Sequence, residues 1–168
     1  MARTRKSSSA TAELHAPRVR VIEGGPLVVE RVPLAWVVRT ESAPDGPPRW
    51  TPEPIEVVED TYALCRCGRS GARPFCDRWP ERLPCFDEPP GPVDPTPIFT
   101  WRPPDGVEGP LLALKSNGPL RVSGSVPIER EDGSPIDTGE RTSLCRCGHS
   151  AAMPFCDSTH KIVGFRDN

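Results

Sequence analysis

The sequence predicts a small β-rich fold built from two similar halves that are not held together by apolar burial alone. Proline supplies 23 of the 168 residues, and it interrupts long helices because it lacks a backbone donor and clashes with the preceding turn. Only 36% of the residues are apolar, which is little core material for this length. Small units with thin cores need a staple such as a bound metal, and the seven cysteines are the candidates for it.

The predicted strands are short. They are expected at 27–29, 35–38, 111–114, 120–122 and 125–128. Glycine-containing turns at 116–119 and 131–134 favour hairpins, because glycine tolerates the positive φ that tight turns require. One short helix is predicted within 154–160, with Asp157 or Ser158 as its N-cap.

Two cysteine-rich segments, 64–77 and 144–157, align without a gap at a constant offset of 80 residues. Their leucine, arginine, glycine, serine, proline, phenylalanine and aspartate match along with the three cysteines. Upstream, the Gly-Pro-Leu run at 25–27 corresponds to the one at 118–120. Self-similarity of this kind indicates an internal duplication.

The duplication predicts four regions. Residues 1–20 are basic and rich in serine and alanine, and we expect a disordered tail. The first repeat spans 21–86, a stiff proline-rich linker spans 87–97, and the second repeat spans 98–168. The first repeat is longer because of a proline-rich insertion around 43–48, which cannot form a central strand.

Charge and hydropathy exclude several classes of partner. The formal net charge is −2, so no global field favours nucleic acid. The longest apolar runs fall far short of the roughly 20 residues of a membrane helix, and no apolar leader segment follows the basic tail. We expect a cytoplasmic protein, with the mitochondrial matrix as the alternative. In a reducing compartment the cysteines serve as metal ligands rather than disulfides.

The second repeat carries a set of metal-ligating side chains. One residue separates Cys145 from Cys147, Cys156 follows nine later, and His160 four after that. On the predicted helix Cys156 and His160 are i and i+4 and face the same way. Three thiolates and an imidazole suit zinc or an iron–sulfur cluster. Paired zinc cysteines usually have two residues between them, so the tighter spacing favours a cluster with two metal atoms.

The second repeat resembles the CDGSH iron–sulfur domain, or NEET, family through the pattern Cys145-x-Cys147-x-x-Ser150-x-x-x-Pro154-x-Cys156-Asp157-Ser158-Thr159-His160. Serine stands at 158 where the family normally has glycine. The resemblance implies a [2Fe–2S] cluster with Cys145 and Cys147 on one iron, and Cys156 and His160 on the other. It also implies that two such units pair, here as an intramolecular pseudo-dimer within a monomer.

The first repeat retains three of the four ligands. Its cysteines are Cys65, Cys67 and Cys76, but Pro80 stands where the histidine is expected. Cys85, the only cysteine outside the repeated motif, is the candidate substitute. An all-thiolate site would be more negative and lower in reduction potential than its partner. The alternatives are a first site without a cluster, in which Cys85 is an ordinary buried thiol, and a site that holds zinc or uses another ligand.

Side chains around the ligands have their own predicted roles. Ser150 and the backbone amides after Cys147 are expected to donate hydrogen bonds to sulfur. We interpret Asp157 as a helix cap and His149 as a surface residue, while Lys161 either adjusts the basicity of the histidine or is simply solvated. The arginines of the first repeat are candidates for docking an acidic redox partner: Arg66, Arg69, Arg73, Arg78 and Arg82.

These patterns favour a non-enzymatic [2Fe–2S] protein that transfers electrons or a cluster to a partner protein. A zinc-stabilised interaction module with the same ligands is the alternative. The sequence has no glycine-rich phosphate loop and no Ser/His/Asp set, so we do not expect an enzyme. Because a protonated imidazole cannot remain a ligand, cluster retention should depend on the protonation of His160.

Overall fold

A computed structural model describes residues 16–39, 50–57, 59–87, 109–138 and 142–167. Among these residues, nine strands form two sheets, and one short helix follows them. The strands are β1 (Arg18–Val21), β2 (Leu27–Glu30), β3 (Leu34–Arg39), β4 (Trp50–Ile55), β5 (Thr61–Leu64), β6 (Leu111–Lys115), β7 (Leu120–Ser123), β8 (Ile128–Arg130) and β9 (Thr142–Leu144), and the helix is α1 (Thr159–Ile162). Most of the predicted tail, the insertion at 43–48 and nearly all of the linker lie outside the described residues.

Each sheet combines strands from both halves of the chain. The first sheet has the order β5-β2-β1-β8 and the second β4-β3-β6-β7-β9. The exchange uses two parallel pairings, which set Val19 opposite Ile128 and Leu34 opposite Leu112. Neither half therefore completes a sheet from its own strands, and the prediction of two repeats packed as a pseudo-dimer is confirmed.

The core includes the equivalent antiparallel strand pairs of the two halves, β2 with β5 and β7 with β9. Leu27 on β2 is opposite Leu64 on β5, and Leu120 on β7 is opposite Leu144 on β9. All four side chains are buried in one cluster, and burial of each leucine contributes on the order of 1.5–3 kcal/mol. The same strands lead into the two cysteine-rich loops, so the core fixes where those loops begin.

The predicted tail is wrong at its C-terminal end, because β1 begins at Arg18. Val19 and Val21 point into the core and alternate with the half-buried Arg18 and Arg20, which is the period of a strand with one buried face. The Arg18 side chain is held by Glu30 on β2 at 2.7 Å. The basic composition of the segment concealed this alternation.

One strand prediction needs correction, while the expectation that the proline-rich surplus forms no central strand agrees with the structure. Residues just after the insertion form β4, which contains Pro52 and Pro54 and pairs with β3. It lies at the edge of its sheet, where proline is tolerated because one side of the strand needs no donor. The strand expected at 125–128 starts only at Ile128, because Ser125 has a φ of 55°, which extended backbone does not adopt.

No sequence pattern predicted β5 and β9, which are short and run directly into Cys65 and Cys145. Within the described segments, no helix combines the length and apolar character needed to cross a membrane.

Candidate metal centres

The second cysteine-rich loop folds back onto the strand that precedes it. Cys145 donates its backbone N–H to the Pro154 carbonyl oxygen at 2.8 Å, and Cys156 donates to that of Ser143 at 2.9 Å. A bridge between Leu144 and Phe155 continues this pairing. The loop therefore closes on itself and brings Cys156 back beside the Cys145–Cys147 pair.

The four predicted ligands of the second repeat lie together as two pairs. The Sγ atoms of Cys145 and Cys147 are 3.6 Å apart, and Cys156 Sγ lies 3.5 Å from His160 Nδ1. His160 is only 8% exposed. No group of three or more cysteine, histidine or acidic side chains in the described part of the chain converges as the ligands of one metal ion do.

Asp157 positions the helix that carries His160. Its carboxylate accepts hydrogen bonds from the backbone N–H of Thr159 at 3.0 Å and of Ala151 at 2.8 Å, which confirms its predicted capping role. Ser158 has a left-handed φ of 71° and its hydroxyl caps nothing in α1. The backbone N–H of Ser158 points instead to Cys156 Sγ at 3.4 Å.

The Cys145–Cys147 pair is polarised so that one thiol ionises readily. A hydrogen bond from Cys147 is the main reason that the pKa of Cys145 falls to about 6, with further donation from the backbone amides of Cys147, Gly148 and Ser150. The pKa of Cys147 is raised by the same contact and by burial. A thiolate is the form that binds metal, so the loop is prepared to supply one.

The Cys156–His160 pair has a different electrostatic environment. Burial raises the pKa of Cys156, against the opposing donation from the Ser158 amide. Burial also lowers the pKa of His160, and the positive charges of Lys161 and Lys115 lower it further. The neutral imidazole, which is the liganding form, is therefore favoured in the folded protein. This supports the prediction that Lys161 adjusts the basicity of His160.

The prediction for Ser150 is half wrong. Its hydroxyl donates to the Phe155 carbonyl oxygen at 2.5 Å and accepts from the Ala152 N–H at 3.0 Å, so it ties the loop together and does not bind sulfur. Ser70 makes the same contacts in the first repeat, with Phe75 and Ala72. A side chain that lies midway between two predicted ligands can therefore act only to hold the loop together. The backbone amides are the groups that donate to sulfur, as predicted.

The first cysteine-rich loop repeats this construction. Cys65 and Cys67 have their Sγ atoms 3.7 Å apart, and Cys76 is brought back by donating its N–H to the Ala63 carbonyl oxygen at 2.9 Å. The hydrogen bond from Cys67 is again the main reason that the pKa of Cys65 is low, at about 5. Three of the four positions of the second site are thus reproduced.

Cys85 joins the first loop from beyond the repeated motif. It lines the same small cavity as Cys65, Cys67 and Cys76. Burial and the charge of Cys76, which it contacts, raise the pKa of Cys85 to about 11. Pro80, at the sequence position of the histidine, is exposed. The structure therefore brings together all four cysteines that the sequence analysis grouped.

Sequence reasoning missed the role of the arginine inside each Cys-x-Cys motif. Arg66 is 1% exposed and donates to the carbonyl oxygens of Gly25 and Ile22. Arg146 donates to those of Gly118 and Lys115 at 3.1 Å and pairs with Asp167. Each guanidinium thus fixes the turn that joins two paired strands, β1 to β2 in the first half and β6 to β7 in the second. The identity of the arginine in both copies was the available signal.

The buried position of Arg66 also corrects the predicted docking patch. Arg73 is half-buried as well, since it donates to the Gly68 carbonyl oxygen at 2.8 Å. The guanidiniums that remain exposed are those of Arg69, Arg78 and Arg82. His149 is exposed, as predicted.

The two centres touch through the glycines that follow their Cys-x-Cys pairs. A Cβ atom built on Gly68 would lie 2.8 Å from the Cys147 carbonyl oxygen, and one on Gly148 would lie 2.6 Å from that of Cys67. Both glycines have positive φ, +73° and +81°. Glycine is therefore required at each position for two reasons, which are the positive φ and the close approach of the other loop. The two sites are held in direct backbone contact.

Fold and site together define a class: a β-rich chain whose two strand-exchanged halves each present a closed Cys-rich loop. The sequence model of the family described as "Iron-binding zinc finger CDGSH type" matches residues 24–79 and 117–161, which together cover more than half of the chain. The chain belongs to this iron-binding family as a tandem form, and the predicted resemblance is confirmed. A search of curated proteins finds no matching relative. The first match ends before Cys85.

Proposed function

We propose that the protein binds a [2Fe–2S] cluster through Cys145, Cys147, Cys156 and His160, and that it transfers electrons or the cluster to a partner protein. The observation that carries the proposal is the arrangement of the ligands as two pairs. This is the ligand pattern of two metal atoms, each held by two protein side chains. A bound cluster would supply one-electron chemistry at this position.

The distances within the pairs support this ligand assignment. Two sulfurs bound tetrahedrally to one metal atom at about 2.3 Å lie about 3.7 Å apart, and a sulfur and a nitrogen slightly closer. The observed separations are 3.6 Å for Cys145–Cys147 and 3.5 Å for Cys156–His160. Each pair therefore fits one metal atom. A structural zinc would draw all four ligands to a single centre, which is why the zinc-stabilised module is the weaker candidate.

His160 distinguishes this ligand set from an all-cysteine one. A neutral imidazole in place of a thiolate makes the site less negative by one charge, which favours a higher reduction potential. The low exposure of the ring and its contact with Cys156 fix Nδ1 toward the site. A proton that arrives at Nδ1 competes directly with the metal, so the same atom is the point at which cluster retention is controlled.

The surface beside His160 is suited to a partner protein. Ile162 is 87% exposed and Val163 is 45% exposed, so two apolar side chains project from the end of α1 close to the liganding ring. We propose this end of the helix as the contact for the electron or cluster acceptor. Docking here would place the acceptor next to the ligand that most readily gives up its metal.

The test is chemical analysis of the purified protein together with one ligand variant. Iron, acid-labile sulfide and a charge-transfer absorption spectrum are expected in the wild-type protein. Pulsed EPR of the reduced protein should show ¹⁴N coupling that disappears in His160→Cys, with the exposed His149→Ala as the matched control. Zinc in place of iron and sulfide would establish the alternative function. Iron and sulfide without any nitrogen coupling would overturn the assignment of His160.

A further inference from the structure

We propose that the first cysteine-rich loop holds a second [2Fe–2S] cluster, and that Cys85 is its fourth ligand in place of the histidine. The inference deepens the proposed function and rests on it, because it assigns the same chemistry to the other half of the chain. It concerns a ligand outside both segments that match the family. The support comes from position, from the path of the chain, and from charge.

Cys85 lies on the side of the first site where the second site has its histidine. In the second half Cys156 is paired with His160, and in the first half Cys76 is paired with Cys85, whose thiol it contacts. The backbone N–H of Cys85 donates to the Gly24 carbonyl oxygen at 2.6 Å. Gly24 leaves room for this approach, because a Cβ atom there would lie 3.0 Å from the Pro84 side chain. The cysteine is thus seated by its own backbone contact.

The chain reaches the same endpoint in both halves by different routes. The Arg66 guanidinium carbon lies 5.3 Å from the centre of the Phe86 ring, and that of Arg146 lies 5.4 Å from the centre of the Phe165 ring. Because the two arginines are equivalent, Phe86 and Phe165 are structurally equivalent positions. The segments from Cys76 to Phe86 and from Cys156 to Phe165 therefore begin and end at equivalent positions.

Only the ligand within those segments differs. In the second half α1 presents His160 early in the segment. In the first half residues 77–85, all of them described, form turns and bends without a helix, and the cysteine comes immediately before Phe86. One more residue separates Cys76 from Phe86 than separates Cys156 from Phe165. The first segment has therefore exchanged a helix that carries an imidazole for a non-helical run of turns and bends that carries a thiol.

Local charge changes together with the ligand. A fourth thiolate in place of imidazole adds one negative charge to the site. Arg78 stands two residues after Cys76, where the second half has Ser158. It lines the same cavity as the four cysteines, as does Arg66. A guanidinium therefore lines the cavity of the half that has the additional thiol.

The experiment first isolates the first site by removing the second. In the Cys156→Ala/His160→Ala protein, iron and sulfide are expected to fall from about four of each per chain to about two of each. The remaining reduced cluster should show no ¹⁴N ligand coupling by pulsed EPR. Adding Cys85→Ala to this background should remove the remaining iron and sulfide, whereas Arg82→Ala, in the same segment but exposed, should leave them.

A single-variant arm guards against a folding defect. Cys85→Ser in the otherwise wild-type chain should lose half of the iron and sulfide and keep the ¹⁴N-coupled signal of the second site, which also reports that the fold is intact. If the wild-type chain contains about two irons that Cys85→Ser leaves in place, the first-site proposal is wrong while the proposed function stands. Zinc at the first site would also overturn it. A wild-type chain without iron and sulfide would refute both.

Discussion

Gly148→Ala should destabilise the protein far more than an equally strained glycine substitution elsewhere. Gly148 has a φ of +81°, and a Cβ atom there would lie 2.6 Å from the Cys67 carbonyl oxygen and 2.9 Å from its carbonyl carbon. The positive φ alone costs an L-residue about 1–2 kcal/mol. The contact is with backbone that cannot rotate away, and overpacking of this kind adds about 1–3 kcal/mol. We expect a total loss of about 2–5 kcal/mol.

Gly133→Ala is the matched control. Gly133 has a φ of +86°, but nothing lies within 4 Å of a Cβ atom built there, so it carries the backbone strain without the collision. Its expected loss is about 1–2 kcal/mol. Urea unfolding of the two variants and the wild type, each with and without bound metal, measures the difference. Equal losses for Gly148→Ala and Gly133→Ala would show that the two cysteine loops are not held in contact through this glycine.

Three further predictions follow from the site. Burial and Lys161 lower the pKa of His160, so the neutral, liganding ring persists below the ordinary histidine pKa of about 6.5 and is lost as the pH falls through the lowered pKa. His160→Cys should therefore slow the acid release of the cluster, measured as the decay of its absorbance at about pH 6. Identical decay rates for the variant and the wild type would contradict this. Arg146→Lys should cost about 1–3 kcal/mol of unfolding free energy, because lysine cannot keep the contacts with Lys115, Gly118 and Asp167 at once. Thermal unfolding that matches the wild type would exclude this buried role. Ser158→Gly should stabilise the protein by up to about 1 kcal/mol, because glycine relieves the strain of the left-handed backbone at φ 71°. A lower free energy of unfolding in urea for the variant would show that the serine side chain stabilises this turn.

The sequence was sufficient to predict the β-rich class, the duplication and the grouping of the cysteines. The repeated motif made those conclusions possible, because identical spacing in two copies constrains both loops at once. Pairing of the two halves was implied only through the family resemblance, and the exchange of strands between them was not predicted. Which strands cross over depends on the parallel pairings Val19–Ile128 and Leu34–Leu112, and no local pattern in either strand specifies a partner so far away in the chain.

The details that the sequence did not provide share a physical cause. Arg66 was assigned to an exposed docking patch, and arginine is seldom fully buried. Yet Arg66 and its equivalent Arg146 are each satisfied by carbonyl oxygens of a turn distant in sequence. Ser150 read as a donor to sulfur because of its position between ligands, but a nearer acceptor, the Phe155 carbonyl oxygen, was available. In each case the decisive partner is a backbone group, which composition and spacing do not display.

The arrangement separates what the scaffold fixes from what it leaves variable. In both halves the strand before the loop, the buried arginine and the backbone pairing across the loop set the positions of three cysteines. In the proposed ligand sets, the fourth position comes from the segment that runs from the last of these cysteines to the phenylalanine over the arginine. Because both ends of that segment are anchored, its interior can differ between a helix and a run of turns and bends while the three cysteines keep their positions. A duplicated fold of this kind can therefore acquire two sites of different charge while it keeps one geometry. The close approaches of Gly68 to Cys147 and of Gly148 to Cys67 hold those two sites side by side.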